Sequence, residues 1–215
     1  MVKVIPKTFP DGPVGLLGYT TVRIIAGLYR GRTILAPPGR TTRPITDRVK
    51  ESLFAILGDR VDGAAVADLF AGTGSLGLEA LSRHAQFCLF IESDRQALRL
   101  LKQNARSLSL QEKCQIINKN AWQFGQRVRP AKSFDLVFVD PPYLDSRCSA
   151  PETCLGKLLA RMTQHGLLAD RGTVVLRHES AYPREHRYGN LTLQDSRRYG
   201  AMALSLLVRQ EGADQ

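Results

Sequence analysis

The alternation of strand-like and helix-like segments from residue 64 onward constrains the fold of this chain more than any other feature. Apolar runs predict buried strands near residues 65–70, 86–91, 114–118, 134–139 and 172–178. Helical patterns lie between them, near residues 75–84, 94–108 and 152–165. We therefore expect an α/β fold: an open, mostly parallel sheet with helices on both faces.

The C-terminal part of the chain departs from this alternation. The segments 190–195 and 201–209 are both strand-like, and no helical pattern separates them. Such a pair predicts an antiparallel hairpin at the edge of the sheet.

The N-terminal part has its own organisation. Segments 20–25 and 33–36 flank a turn and predict a small β-hairpin, and Thr46 is typical of the N-cap of a helix over 47–57. At 215 residues the chain is long enough for one domain with an extension. We divide it into a basic N-terminal extension, 1–43, with a poorly ordered start over residues 1–19, and a main domain, 44–210.

A glycine-rich turn follows the first strand of the alternation. Gly72, Gly74 and Gly77 separate that strand from the next helix, the context that a nucleotide-binding glycine loop requires. Glu92 ends the second strand, where an acidic side chain can accept hydrogen bonds from both ribose hydroxyls of an adenosine. This spacing also fits a nicotinamide dehydrogenase. Asp68, inside the first strand, favours a different ligand, because its carboxylate would repel a pyrophosphate but can pair with the ammonium group of S-adenosylmethionine.

The tetrapeptide Asp140-Pro141-Pro142-Tyr143 follows the fourth strand of the alternation. Proline cannot continue a sheet ladder, so the strand ends here and the chain is stiff where the carboxylate emerges. The Asp140 side chain and the Pro141 carbonyl can accept hydrogen bonds from an exocyclic amine, and the Tyr143 ring can stack on a base. We predict these three as the catalytic residues.

The predicted ligand residues share one location. In an open α/β sheet, ligands bind outside the carboxyl ends of the strands, and the glycine loop, Glu92, Asn120 and Asp140 all follow strand ends. We expect them to converge on one edge as a site for S-adenosylmethionine, formed by Asp68, Ala71, Gly72, Gly74, Glu92, Asn120, Ala121 and Asp140.

The charge of the chain is uneven. Thirty Lys and Arg against twenty Asp and Glu give a net charge of +10, and +7 of it lies in the first fifty residues. A clustered basic surface is typical of proteins that bind nucleic acid. The residues that we predict to contact RNA are Arg23, Arg30, Arg32, Arg43 and Arg48.

Cysteine and histidine spacing predicts no metal site, since the four cysteines form no Cys-x-x-Cys pair and the four histidines are scattered. No apolar run approaches the length of a signal sequence or a membrane span. We expect a soluble, cytoplasmic protein without membrane partners.

Four blocks of this sequence resemble the RsmD-type bacterial 16S rRNA guanine-N2 methyltransferases, within the class I S-adenosylmethionine-dependent methyltransferases. They are residues 23–32, 43–54 and 68–80 and the Asp140 tetrapeptide. The resemblance implies a Rossmann-like, seven-stranded sheet with an antiparallel last strand. It also implies methylation of a guanine of 16S rRNA in the small ribosomal subunit. Many methyltransferases carry an acid after the third strand, but an amide oxygen at Asn120 can accept the same bond from adenine.

Two alternatives to rRNA methylation remain open at this point. An adenine-N6 DNA methyltransferase shares the tetrapeptide, although such enzymes commonly carry an added recognition domain for which 215 residues leave little room. A non-catalytic RNA-binding protein with this fold is the other, against which the intact motifs argue. We expect the protein to be a monomer.

Overall fold

The computed structural model describes residues 19–37, 45–127, 130, 132–142, 144–147, 150, 152–164, 166–182 and 184–210. Two predicted site residues, Arg43 and Tyr143, lie outside these ranges, as does the predicted start of the chain apart from Tyr19.

Ten strands and four α-helices form the described structure, and their bounds follow the sequence patterns closely. The helices are α1 Asp47–Leu57, α2 Ser75–Ser82, α3 Arg95–Ser107 and α4 Cys154–Gln164. The strands are β1 Thr20–Arg23, β2 Thr33–Ala36, β3 Ala65–Leu69, β4 Phe87–Glu92, β5 Cys114–Asn118, β6 Phe134–Val139, β7 Leu168–Glu179, β8 Arg187–Tyr188, β9 Leu191–Tyr199 and β10 Met202–Arg209.

The main sheet has the order β5-β4-β3-β6-β7-β10-β9-β8. The five neighbouring strands β5, β4, β3, β6 and β7 are parallel to one another. β10 is antiparallel to both β7 and β9, so β9 runs in the same direction as those five strands. The predicted mostly parallel sheet with an antiparallel last strand is therefore confirmed, and so is the hairpin at its edge. Seven strands form the body of the sheet, and the two-residue strand β8 adds an eighth.

The two faces of the sheet are covered by different helices, because successive side chains of a strand point to opposite faces. On β3, Val66 belongs to a core with α1, α2 and α3, whereas Ala67 and Leu69 belong to a core with α4. The predicted helices on both faces are confirmed. β3 and β6 lie in the middle of the sheet, and this places their carboxyl ends next to each other.

The predicted N-terminal hairpin is present as the antiparallel pair β1–β2, and it packs on the same side as α2 and α3. The buried side chain of Asn104 on α3 accepts a hydrogen bond from the Leu35 amide at 2.8 Å and donates to the Leu35 carbonyl at 2.9 Å, as a neighbouring strand would. Its amide nitrogen also donates to the Thr73 carbonyl of the glycine loop at 3.0 Å. One side chain thus joins the hairpin to the glycine loop.

A buried ion pair joins the hairpin, α1 and α2. The Lys50 ammonium lies 3.4 Å from the Glu79 carboxylate, and both side chains are fully buried. Lys50 donates to the Arg23 carbonyl at 2.6 Å, while Glu79 accepts hydrogen bonds from the amides of Ile25 at 2.8 Å and Ala26 at 3.0 Å. Burial lowers the pKa of Lys50, and the nearby Glu79 carboxylate opposes that shift.

Several residues of the two N-terminal sequence blocks, 23–32 and 43–54, therefore hold the fold together. The segment between β1 and β2 packs against the end of α2: the Leu28 amide donates to the Ser82 carbonyl at 2.7 Å, and the Ser82 hydroxyl donates to the Ala26 carbonyl at 2.6 Å. Gly27 has a φ of 81°, and a Cβ there would overlap the Ser82 carbonyl. Only glycine allows the backbone to approach so closely.

Candidate active site at the carboxyl edge of the sheet

The loop between β3 and α2 contains three glycines with different roles. Gly72 has a φ of 55° and faces open space, so a ligand can approach its backbone. Gly74 has a φ of 87° and packs against Leu101 of α3. At Gly77 a Cβ would overlap the Phe90 ring, so this glycine brings α2 close to the sheet. The loop therefore opens on one side and is packed on the other.

The Glu92 carboxylate is held at the end of β4 by three backbone amides. Its Oε2 accepts from Gly72 at 2.7 Å, and its Oε1 accepts from Ser93 and Asp94, each at 2.7 Å. These bonds fix the carboxylate beside the glycine loop. The structure thus brings Gly72 and Glu92 into contact at one edge of the sheet.

Asp68 lies beneath the glycine loop, with 2% of its surface exposed. Its carboxylate accepts a hydrogen bond from the Gly77 amide at 2.9 Å. Burial raises the pKa of Asp68 well above its usual range, the Gly77 bond opposes the shift, and the carboxylates of Asp140 and Glu92 add to it. A neighbouring positive charge would offset this cost of burying a negative charge.

Asp140 follows β6 directly, and its amide points toward the Leu69 carbonyl of β3 at 3.5 Å. Its carboxylate pairs with the Arg177 guanidinium of β7 at 2.9 Å, and about a quarter of the side chain, 26%, is exposed. Burial raises the pKa of Asp140, and the positive charge of Arg177 lowers it. Pro141 is buried directly after Asp140. Arg177 therefore orients the Asp140 carboxylate, which is still accessible to a ligand.

Asn120 and Ala121 lie at the end of β5, beside the described edge. The Asn120 side chain caps a short 3-10 turn and accepts from the Trp122 amide at 3.0 Å. Ala121 is buried. Arg161 of α4 donates to the Trp122 and Phe124 carbonyls at 2.6 and 3.2 Å, which ties this turn to the opposite face.

The predicted RNA-binding arginines lie in different environments. Arg30 and Arg48 are exposed, whereas Arg23 pairs with Asp47 at 3.0 Å on the surface. Arg32 donates to the Ser107 carbonyl at the end of α3 at 3.1 Å, so part of its role is to cap that helix.

Arg177 was not among the site residues predicted from the sequence, although the structure places it against Asp140. The available signal was an arginine inside the apolar run of β7, near its carboxyl end. A charge in such a run is costly to bury without a partner, so it indicates a paired or functional position. The pattern alone could not name Asp140 as that partner.

Within the ranges that the structure describes, no group of three His, Cys, Asp or Glu side chains is arranged to hold a metal ion. In the same ranges no helix is long and apolar enough to cross a membrane.

The chain is similar in sequence to several known proteins. The model of a family described as "Conserved hypothetical protein 95" matches residues 22–208. A Bacillus subtilis protein named "Putative rRNA methyltransferase YlbH" is 32% identical over 86% of this chain and 97% of its own length. The "Ribosomal RNA small subunit methyltransferase D" of Escherichia coli is 36% identical over 75% of this chain and 77% of its own.

Among solved structures, the Escherichia coli protein titled "Putative methyltransferase yhhF" superposes with a TM-score of 0.77 and 33% identity. The match covers 90% of this chain and all of that one.

Proposed function

We propose a function for this chain, which belongs to the Conserved hypothetical protein 95 family. It methylates the exocyclic N2 of a guanine in 16S rRNA, with S-adenosylmethionine as the methyl donor. The observation that carries the proposal is the meeting, at one sheet edge, of a Glu92 carboxylate held by three amides and an accessible Asp140 carboxylate. The family's relatives named as rRNA methyltransferases support the class of substrate.

The described residues fit the proposed cofactor at both of its ends. Glu92 presents a fixed carboxylate to the ribose hydroxyls, and open space at Gly72 leaves room for the nucleoside. The Asp68 side chain lies where the ammonium group is proposed to bind, and that cation would favour its ionised form. Ala71, Gly74, Asn120 and Ala121 complete the proposed cofactor site. When bound, the cofactor supplies an electrophilic methyl group on a sulfonium.

The task of the protein is then to position the base amine in line with that methyl group. Asp140 and the Pro141 carbonyl accept the two amine hydrogens, which orients the nitrogen and favours a more tetrahedral geometry. Burial raises the pKa of Asp140, and the positive charge of Arg177 opposes that shift, so Arg177 favours the ionised carboxylate. Tyr143 is proposed to stack on the base, a contact worth about 1–3 kcal/mol in other aromatic platforms.

The RNA partner is proposed to be the 16S rRNA of the small ribosomal subunit, acted on by a monomer in the cytoplasm. To reach Asp140 the guanine must leave its stack, which costs least in loops. Arg23, Arg30, Arg32, Arg43 and Arg48 would hold phosphates, because a guanidinium gives bidentate contacts to phosphate.

Methylation of small-subunit particles by wild-type protein and by Asp140→Ala tests the proposal. We expect the variant to lose turnover by well over tenfold, about 1.4 kcal/mol of barrier per tenfold, while calorimetry shows near-normal cofactor binding. Asp145→Ala is the matched control, because Asp145 is an exposed carboxylate in the same loop.

Duplex DNA serves as the second substrate in the same assay. Methyl transfer to adenine in DNA, with none to rRNA, would favour the DNA methyltransferase instead. If Asp140→Ala retains turnover within about tenfold of wild type, Asp140 is not the partner of the amine.

A further inference from the structure

A cavity of about 680 Å³ lies beside Asp140, between α1, β7 and the turn that joins β9 to β10. Its described lining includes Arg48 and Ser52 of α1, Arg177 of β7, and Arg198, Tyr199 and Met202 around the turn. Among the described lining residues, three are arginines and none is acidic. Cavities of roughly 300–1,000 Å³ are the size that encloses a small ligand.

The cavity opens at the same edge as the candidate active site. β10 begins at Met202, whose pairing partner is Glu179 at the carboxyl end of β7, so the turn between β9 and β10 lies at that edge. Arg177 lines the cavity and also contacts the Asp140 carboxylate at 2.9 Å. Its guanidinium therefore lies between the cavity and the candidate active site. A molecule in the cavity would therefore be a direct neighbour of a base held at Asp140.

The walls of the cavity are held in position. The Tyr199 hydroxyl lies 2.6 Å from the Ser52 hydroxyl, which joins the turn to α1. The Arg198 Nε donates to the Gly200 carbonyl at 3.1 Å, and Gly200 has a φ of 64°. Tyr199 and Met202 provide an apolar surface, while the arginines provide positive charge.

Resting on the proposed function, we infer that this cavity receives the nucleotide next to the target guanine, with the phosphate bound by Arg48 and Arg198. An apolar wall suits the base or ribose of that nucleotide, and guanidinium groups suit its phosphate. The positive charge alone would bind any anion. The three arginines of the lining, however, lie next to the position proposed for the target base. The cavity thus selects a strand that continues past the methylated position.

The test uses Arg48→Gln/Arg198→Gln in the full-length protein, since both arginines are exposed and their loss leaves the core intact. Arg197→Gln is the control: it removes one positive charge from the adjacent position of β9, where the guanidinium pairs with Asp195 and is not among the described residues that line the cavity. Binding to a 16S rRNA transcript is measured by filter binding across a salt series.

The slope of log affinity against log salt reports the number of phosphate contacts, about 0.7 units for each contact to a single strand. We expect the double variant to flatten the slope by about 0.7 units, because one phosphate contact is lost. Arg197→Gln should leave the slope unchanged, and Arg48→Lys/Arg198→Lys should retain it. In methylation assays the double variant should raise KM for RNA, while calorimetry shows unchanged cofactor binding.

An unchanged slope in the double variant would overturn this inference, and so would an equal change in Arg197→Gln. The proposed function is judged separately by wild-type protein: if it transfers methyl groups to small-subunit particles, that function stands whatever the cavity does. If wild-type protein shows no transfer but the slopes differ as expected, the cavity binds a phosphate of RNA and the proposed reaction is wrong. Absence of RNA binding by wild-type protein would overturn both.

Discussion

The buried pair of Lys50 and Glu79 should respond very differently to the loss of each partner. Glu79→Gln preserves shape but leaves the Lys50 ammonium buried without its charge partner. It also places an amide NH2 where the carboxylate accepts from Ile25, Ala26 or Arg83. Removing one partner of a buried pair typically costs about 3–5 kcal/mol. Domains of this kind have about 5–15 kcal/mol of stability in total, so the loss is severe.

Lys50→Met should cost less. Glu79 then keeps Arg83, whose Nε donates to it at 2.9 Å, and both backbone amides of the hairpin. The main loss is the hydrogen bond to the Arg23 carbonyl at 2.6 Å, and an unsatisfied buried acceptor costs about 1–3 kcal/mol. The double variant Lys50→Met/Glu79→Gln should be more stable than the sum of the single effects predicts, because no unpaired charge remains.

Urea unfolding at pH 7, followed by circular dichroism and by the fluorescence of Trp122, the single tryptophan, measures these differences. The ordering, with Glu79→Gln the least stable, is the critical result. If Glu79→Gln lies within about 1 kcal/mol of wild type, or if the single effects simply add, the pair does not hold the hairpin on α2 as described.

Three further predictions concern other parts of the molecule. Glu92→Ala should weaken S-adenosylmethionine binding in calorimetry, and unchanged affinity would remove Glu92 from the site. Gly77→Ala should lower stability by about 1–3 kcal/mol in urea unfolding, because the new methyl overlaps the Phe90 ring, and a neutral result would contradict that packing. Burial lowers the pKa of His178 to about 4 from 6.5, so the unfolded chain binds a proton first as pH falls. Stability should drop by about 3 kcal/mol between pH 6.5 and 4, and this drop should be missing from His178→Gln.

Local periodicity was sufficient to predict most of the fold. The strands β3 to β6 and the four helices appear within about two residues of their predicted bounds, because periodicity reflects which face is buried. β7 is the main difference, since it begins at Leu168 rather than near residue 172. Arg171 has a φ of 60°, and the pairing with β6 shifts between Phe134 and Leu136, so the chain passes through an irregular stretch without leaving the sheet.

The sequence predicted which loops lie at the candidate site, but it did not predict which charged side chains pair with each other. Gly72 and Glu92 meet as expected because strand ends in a parallel sheet converge. The contacts of Asp140 with Arg177 and of Glu79 with Lys50 join residues 37 and 29 positions apart, and a charged residue in a sequence does not specify its partner. The roles of Arg30 and Tyr143 remain predictions from composition and motif.

The packing of the N-terminal hairpin has a consequence for how the chain is made. Two paired strands alone are only marginally stable in water, and the hairpin's anchors come later in the sequence: Leu35 and Asn104 are 69 positions apart. At a synthesis rate of about 5–20 residues per second, the hairpin waits roughly 3–14 s for this partner. During that interval its backbone is open to proteases and chaperones. A ribosome that stalls before α3 has emerged would therefore expose a basic, unanchored segment, and the speed of translation through the first hundred or so residues becomes a determinant of yield.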